Sequence, residues 1–274
     1  MMKLLLSALK FWMVALTLLS ALPASAQRTK AASPAATILT TQTTVFLQKY
    51  VNKEGKVNYS AIQHDPDQLE AMVYAIGEFD VAHATMADQY AFYLNAYNVL
   101  VIGDIVRNYP LKSVQNMPGF FNKTRHRVGG EQLTLDQIET DKLRKIYDDP
   151  RLHFALVCGT QSCPRLNRAA YLGPELFGQL NKQTKFALSD PNYVKINQSL
   201  KLVQLPEIFK WYEADFSTIG KMGVTYVNHF RDDNRVPTWF VVDYYPYNWA
   251  LNDQATEPTA PSPRTGTTVA AYQE

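Results

Sequence analysis

Two cysteines and one histidine are the residues of this sequence whose types and spacing could do chemistry. Cys158 and Cys163 are the only cysteines, and His153 lies five positions before the first of them. Two thiols this close together allow a disulfide, a thiolate nucleophile or part of a metal site. These three chemistries imply different functions.

The sequence supports a disulfide better than it supports a metal site. In an exported protein, two neighbouring cysteines most simply form a disulfide, so a Cys158–Cys163 bridge is the first expectation. The run His153-x4-Cys158-x4-Cys163 supplies three metal ligands, and a fourth, such as His126, would have to come from elsewhere. We therefore predict no metal and no cofactor.

For a nucleophile, Cys163 is the better candidate of the two thiols. The apolar run from Leu152 to Cys158 predicts a strand, in which His153 and Cys158 face opposite sides. Cys163-Pro164 resembles a helix start, where a thiol loses its proton more easily. Cys163 would then attack, with His153 as its base.

A long predicted helix adds two polar residues to an apolar stripe. It begins at the capping sequence Thr85-x-x-Asp88 and carries Asn95 and Asn98 at helical spacing. Buried amides must be paired, so a structural polar cluster is one interpretation. The other is that an asparagine lines a site; Asn98, or Glu139 from the next helix, would orient the imidazole.

The two ends of the sequence indicate the cellular compartment, and the net charge limits the kinds of partner. Residues 1–26 have the basic start, apolar stretch and small-residue end of a signal peptide, and residues 27–38 are typical of a disordered leader. One globular domain would span 39–251, followed by a disordered tail, 252–274. The net charge of +2 falls to zero without Lys3 and Lys10, so no nucleic acid is expected. The mature protein would be periplasmic or secreted, without a membrane anchor.

The predicted elements are helices with two hairpins and one closing strand. Gly129-Gly130 joins one hairpin, the runs 193–196 and 200–205 form another, and 238–244 is the last strand. Helices are predicted over 41–50, 66–78, 85–108, 134–147, 174–188, 206–212 and 217–230. This order indicates an α+β fold of one domain, with helices packed on an antiparallel sheet.

Several runs of the sequence together carry a resemblance to a known family. They are Gln89 to Asn98, Leu133 to Glu139, Asp149 to Pro164, Ile208 to Phe216 and Tyr247 to Asn252. The chain resembles an exported bacterial member of the domain-of-unknown-function 547 family. The resemblance implies a fold of the papain and transglutaminase-like group. In that group the nucleophilic cysteine usually opens the central helix before the histidine, whereas here the candidate thiol follows His153.

Two functional hypotheses result. The first is a non-catalytic cell-envelope domain that binds or scaffolds a peptide or protein and contains a Cys158–Cys163 disulfide. The second is a thiol-dependent hydrolase or acyl transferase acting on peptide or envelope amide bonds, with Cys163 and His153 as the reacting pair.

Overall fold

The computed structural model describes residues 34–217 and 223–255. The predicted signal peptide, most of the predicted leader and most of the predicted tail lie outside these residues. All described residues belong to one compact unit. The α-helices are α1 (Pro34–Tyr50), α2 (Tyr59–His64), α3 (Asp67–Gly77), α4 (Met86–Asn108), α5 (Leu135–Gln137), α6 (Lys145–Tyr147), α7 (Leu176–Ser189), α8 (Ile208–Trp211), α9 (Glu213–Ser217) and α10 (Gly223–His229).

Helix α4 is the centre of the N-terminal half. Its first turn is capped as predicted, because the Thr85 side chain accepts a hydrogen bond from the Asp88 backbone N–H. Every residue from Tyr90 to Val106 is buried, and α1, α2 and α3 pack against it. A helix buried on all sides must satisfy its polar side chains inside the protein, which explains the roles of its asparagines described below.

The strands form two small, separate sheets. Strands β1 (His126–Val128) and β2 (Glu131–Leu133) are the hairpin predicted at Gly129-Gly130. Strand β4 (Leu202–Pro206) lies between an antiparallel β3 (Lys195–Asn197) and a parallel β5 (Val241–Tyr245). The prediction of one antiparallel sheet covered by helices was therefore wrong in its topology. The mixed composition of helices and small sheets is confirmed.

The segment before the cysteines lies where two apolar clusters meet. Leu152 and Ala155 belong to the cluster around α4, whereas Phe154 packs with Phe209, Phe216 and other residues of the C-terminal half. The strand predicted from Leu152 to Cys158 was wrong. Asp149 caps a 3-10 helix with proline at its first position, Pro150–Phe154, and the chain then continues without regular structure.

Two further predictions concern the ends of elements. Cys163-Pro164 opens no helix; the residues after it have no helical conformation until the 3-10 turn Gly173–Glu175. Helix α1 begins at Pro34, inside the segment predicted as a leader.

Among the described residues, no helix has both the length and the apolar character needed to cross a membrane.

Candidate active site

The backbone that leads to Cys158 is held by one buried asparagine of α4. The Asn98 side-chain amide donates to the Ala155 carbonyl and accepts from the Val157 N–H, each at 2.9 Å. Asn95 makes the same pair of bonds, each 2.8 Å long, to the backbone of Tyr171. Both asparagines thus satisfy buried backbone groups of segments that have no regular structure.

A tight turn and a second chain segment then place the cysteines. Gly159 has a φ of +81°, and a Cβ there would lie 2.4 Å from Ile105 of α4, so only glycine fits. The C-terminal segment pairs with this turn: Ala250 O accepts from the Gln161 N–H at 2.8 Å, and Ser162 Oγ accepts from the Asn248 N–H at 2.7 Å. This pairing brings Tyr247 against both sulfurs.

The two cysteines are free thiols, so the predicted disulfide was wrong. Their sulfurs lie 2.7 Å apart, whereas a disulfide bond measures about 2.05 Å. The two thiols are partly buried and share one hydrogen-bonded cluster with Thr160 and Tyr247. Either sulfur can be the donor in this contact.

Cys163 is the cysteine whose surroundings favour the thiolate. Its sulfur lies 3.1 Å from the Cys158 N–H, 3.3 Å from the Thr160 hydroxyl and 3.2 Å from the Tyr247 hydroxyl. Burial opposes ionisation, but hydrogen bonds from the Cys158 thiol and the two hydroxyls outweigh it and lower the Cys163 pKa to about 6. The hydrogen bond to Cys163, together with burial, raises the pKa of Cys158 well above its ordinary value.

The lowered Cys163 pKa therefore has a different origin from the predicted one. We expected the N-terminus of a helix, and the structure provides four donors from a turn and the C-terminal segment. Tyr247 remains a donor because burial, followed by the two neighbouring thiols, raises its pKa well above the ordinary value.

His153 is buried and held by an acid that the sequence did not indicate as its partner. Its Nε2 lies 2.7 Å from Asp215 Oδ2, and its ring packs against Tyr212 with 4.2 Å between the ring centroids. Arg144 donates to both Asp215 oxygens, at 2.8 and 3.0 Å. Burial works against the Asp215 carboxylate, but the hydrogen bonds from His153 and Arg144 hold its pKa well below the usual range.

One small pocket brings the predicted reacting residues together. It has a volume of about 60 Å³, and His153, Glu139 and both cysteines line it. Its other walls are largely aromatic: Tyr97, Leu156, Pro164, Ile208, Trp211, Tyr212, Tyr247 and Trp249. Among the residues that the structure describes, no hydrogen bond joins His153 to either sulfur. The imidazole and the thiols therefore line a common space without a hydrogen bond between them.

The predicted helix over 134–147 contains a π-helical segment, Ile138–Arg144, between α5 and α6. Its first and last turns carry Glu139, which accepts from the Tyr212 hydroxyl at 2.8 Å, and Arg144, which binds Asp215. The wider π turn often marks a functional site. Burial and the nearby Glu139 charge raise the pKa of Asp136, just before this segment, to about 6.

The structure separates the other predicted site residues. Asn98 contacts backbone rather than the imidazole, and Glu139 shares the pocket but binds Tyr212. His126 lies elsewhere, buried 3.1 Å from Asp104. In the described part of the chain, no group of three or more His, Cys, Asp or Glu residues is arranged to hold a metal ion.

Comparison with known proteins supports the family resemblance over part of the chain. Residues 81–186 match the family model described as "Protein of unknown function, DUF547". The match covers His153, Cys158 and Cys163 but ends before Asp215 and Tyr247. The chain matches no curated protein and no solved structure. The comparisons therefore provide no support for the papain-like fold that the resemblance implied.

Asp215 and Tyr247 are two of the site residues that sequence reasoning missed. Both lie in runs that carried the resemblance, Ile208 to Phe216 and Tyr247 to Asn252. The available signals were an acid directly before Phe216 and a tyrosine two positions before Trp249. Neither run has a spacing that identifies its partner.

Proposed function

We propose that the protein is a thiol-dependent hydrolase or acyl transferase that acts on peptide or cell-envelope amide bonds. The observation that carries the proposal is the set of four donors around the Cys163 sulfur, inside a pocket that also contains His153. A thiolate stabilised in this way is a nucleophile before any base acts on it.

In the proposed reaction the Cys163 thiolate attacks the amide carbon, and a tetrahedral oxyanion forms. Protonated His153 then gives its proton to the amine as the C–N bond breaks, which leaves a thioester on Cys163. In the second half, neutral His153 takes a proton from water or from an acceptor amine. This nucleophile attacks the thioester carbon and displaces Cys163 as thiolate.

The remaining side chains have supporting parts in this proposal. Since Nε2 of His153 is bonded to Asp215, Nδ1 is the ring nitrogen left for proton transfer. Arg144 fixes the Asp215 carboxylate with two bonds. The Tyr247 hydroxyl, beside the sulfur, is placed to donate to the oxyanion. The proposal does not require the papain-like order of residues, because His153 and Cys163 line the same pocket.

The experiment compares two acyl donors that differ in their need for a proton. A peptide thioester loses a thiolate and needs no general acid, whereas the matching peptide amide loses an amine and does. His153→Gln is expected to retain acylation by the thioester and to lose acylation by the amide by about 10²–10⁴-fold. Cys163→Ala should lose both reactions, and His229→Gln, on the C-terminal helix α10, is the matched control.

A second function retains support from two observations. The pocket has largely aromatic walls, and His153 makes no hydrogen bond to a sulfur among the described residues, which suits a non-catalytic envelope-binding domain. In that case Cys163 would be alkylated by small reagents, but neither acyl donor would give an adduct on it.

A further inference from the structure

Cys163 and Pro164 form a wall shared by two pockets. On one side is the small pocket with His153, about 60 Å³ in volume. On the other is a pocket of about 360 Å³. The larger pocket is lined by polar and charged residues as well as aromatic ones, among them Ser162, Arg165, Phe186, Asn192, Lys195 and Asn248.

The extended segment that follows β5 continues this wall. Tyr247 and Trp249 line the small pocket, whereas Pro246 and Asn248 line the large one. Alternate side chains of an extended chain point to opposite sides, so one short segment separates the two spaces. Its pairing with the turn at Gln161 and Ser162 fixes it beside the nucleophile.

The position of His153 indicates on which side of this wall each part of a bound substrate lies. The proton donor must reach the nitrogen of the leaving amine, and His153 lines the small pocket but not the large one. The amine therefore leaves on the small side. The acyl portion, which stays on Cys163 as the thioester, extends into the large pocket.

We infer that the larger pocket is the acyl-binding subsite for a peptide of a few residues, and that the small pocket accepts only a small amine. This inference rests on the proposed function. A space of about 360 Å³ lies in the range of ligand pockets, whereas about 60 Å³ has room for only a few water molecules.

The chemistry of the larger pocket fits a polar peptide. Arg165 stacks on Phe186 with 3.9 Å from the guanidinium carbon to the ring centroid, and Lys195 lies 3.9 Å above the Tyr245 ring. Glu54 and Asp190 add acids to the same lining. Both signs of charge and several amide side chains can bind the carbonyl and N–H groups of a peptide backbone.

The test uses peptidyl chloromethyl ketones, which alkylate a thiolate and contain an acyl portion but no leaving amine. Acetyl-alanyl and acetyl-trialanyl chloromethyl ketones are compared on the full chain, and the alkylated residue is mapped. We expect the longer reagent to label Cys163 at least about tenfold faster, a difference of about 1.4 kcal/mol. Iodoacetamide, which needs no subsite, gives the intrinsic reactivity of the thiol.

Two tryptophan variants make the test specific to the larger pocket. Asn192 is exposed and lines it, so Asn192→Trp should fill the space and abolish the advantage of the longer reagent. Gln198, also exposed, lies outside the residues that line it, so Gln198→Trp should keep the advantage. Gln198→Trp should react with iodoacetamide at the rate of the unmodified chain, and in each variant the advantage of the longer reagent is measured as the ratio of the two chloromethyl ketone rates.

The outcomes separate this inference from the proposed function. If iodoacetamide labels Cys163 but the longer reagent gains nothing, or Asn192→Trp leaves its gain unchanged, the acyl subsite is refuted and the nucleophile stands. If iodoacetamide does not label Cys163, the proposed function itself fails. For the small pocket, a trialanyl primary amide should acylate Cys163 faster than the same peptide with a leucine-amide leaving group; equal rates would refute the assignment.

Discussion

Removing the Tyr247 hydroxyl should raise the pKa of Cys163 measurably. The hydroxyl lies 3.2 Å from the Cys163 sulfur, and the pKa of that thiol is about 6. A hydrogen bond to a charged group contributes about 1.5–3 kcal/mol, and one pKa unit corresponds to 1.36 kcal/mol. Tyr247→Phe should therefore raise the Cys163 pKa by about one to two units.

The consequence at neutral pH is large enough to measure. The lowered pKa of Cys163 favours its thiolate at pH 7, and each unit by which the pKa rises above neutrality lowers the thiolate fraction by up to about tenfold. Because a more basic thiolate is also a better nucleophile, the rate at a single pH understates the change. The midpoint of the pH profile is the quantity to compare.

The assay is iodoacetamide alkylation from pH 4 to 10, with the labelled cysteine mapped at each pH. Tyr245→Phe is the matched control, since the Tyr245 hydroxyl donates to Tyr193 O at 3.1 Å and not to a sulfur. Its profile should keep a midpoint near that of the unmodified chain. A Tyr247→Phe midpoint within about half a unit of the original, or labelling that maps to Cys158, would refute the assignment of the thiolate to Cys163.

Three further predictions concern the groups around this centre. Asp215→Asn should lower amide cleavage by about 10²–10⁴-fold, because His153 loses the carboxylate that orients it, and single-turnover rates check this. The lowered Asp215 pKa stabilises the fold above about pH 4 and this contribution is lost as the pH falls further, so the variant should lose less stability in acid. Asn98→Leu should cost about 2–6 kcal/mol in urea unfolding, since it leaves two buried backbone groups unpaired. Asp136→Asn should stabilise the protein at pH 8 but not at pH 4, because a carboxyl whose pKa is raised to about 6 opposes folding as the pH rises from about 4 through 6.

Each of these variants has a control that differs in position rather than chemistry. Asp243→Asn changes an exposed acid on β5, and its cleavage rate should equal that of the unmodified chain. Asn108→Leu removes one bond at the exposed end of α4 and should cost below about 1 kcal/mol. Asp141→Asn, the control for Asp136→Asn, alters an exposed acid in the π-helical segment. Equal effects in a variant and its control would contradict the corresponding prediction.

The helices and strands that could be predicted are those whose ends are determined by residues close to them in the sequence. Thr85 caps α4 through Asp88, and Thr134 forms a capping box with Gln137, each over three positions. The hairpin at Gly129-Gly130 requires the positive φ values that both glycines have. Local chemistry of this kind is visible in the sequence, since no distant partner is needed.

The run from Leu152 to Cys158 could not be predicted for the opposite reason. Its apolar residues fit a buried strand, but the backbone groups of Ala155 and Val157 bond to Asn98, more than fifty positions away. The side chain of α4 thus takes the place of a neighbouring strand. The direction of β5 beside β4 depends in the same way on the course of the chain between them.

The two candidate reacting residues of the site were predictable, but their supporting partners were not. His153 and Cys163 were identified from their types and spacing, and they do line one pocket. Asp215, the partner of His153, is sixty-two positions away, and Tyr247 is eighty-four positions from Cys163. Such pairs are set by the position of α9 beside His153 and by the pairing of the C-terminal segment with the turn.

The most direct test of the account is to trap the acyl-enzyme on Cys163. An excess of the unmodified chain is mixed with a trialanyl primary amide, and the reaction is quenched in acid. The peptides of the chain are then mapped by mass spectrometry. We predict a trialanyl adduct on Cys163 that hydroxylamine removes, as a thioester requires, and its absence in Cys163→Ser. An adduct on another residue, or none on a chain whose Cys163 reacts with iodoacetamide, would contradict the proposed function.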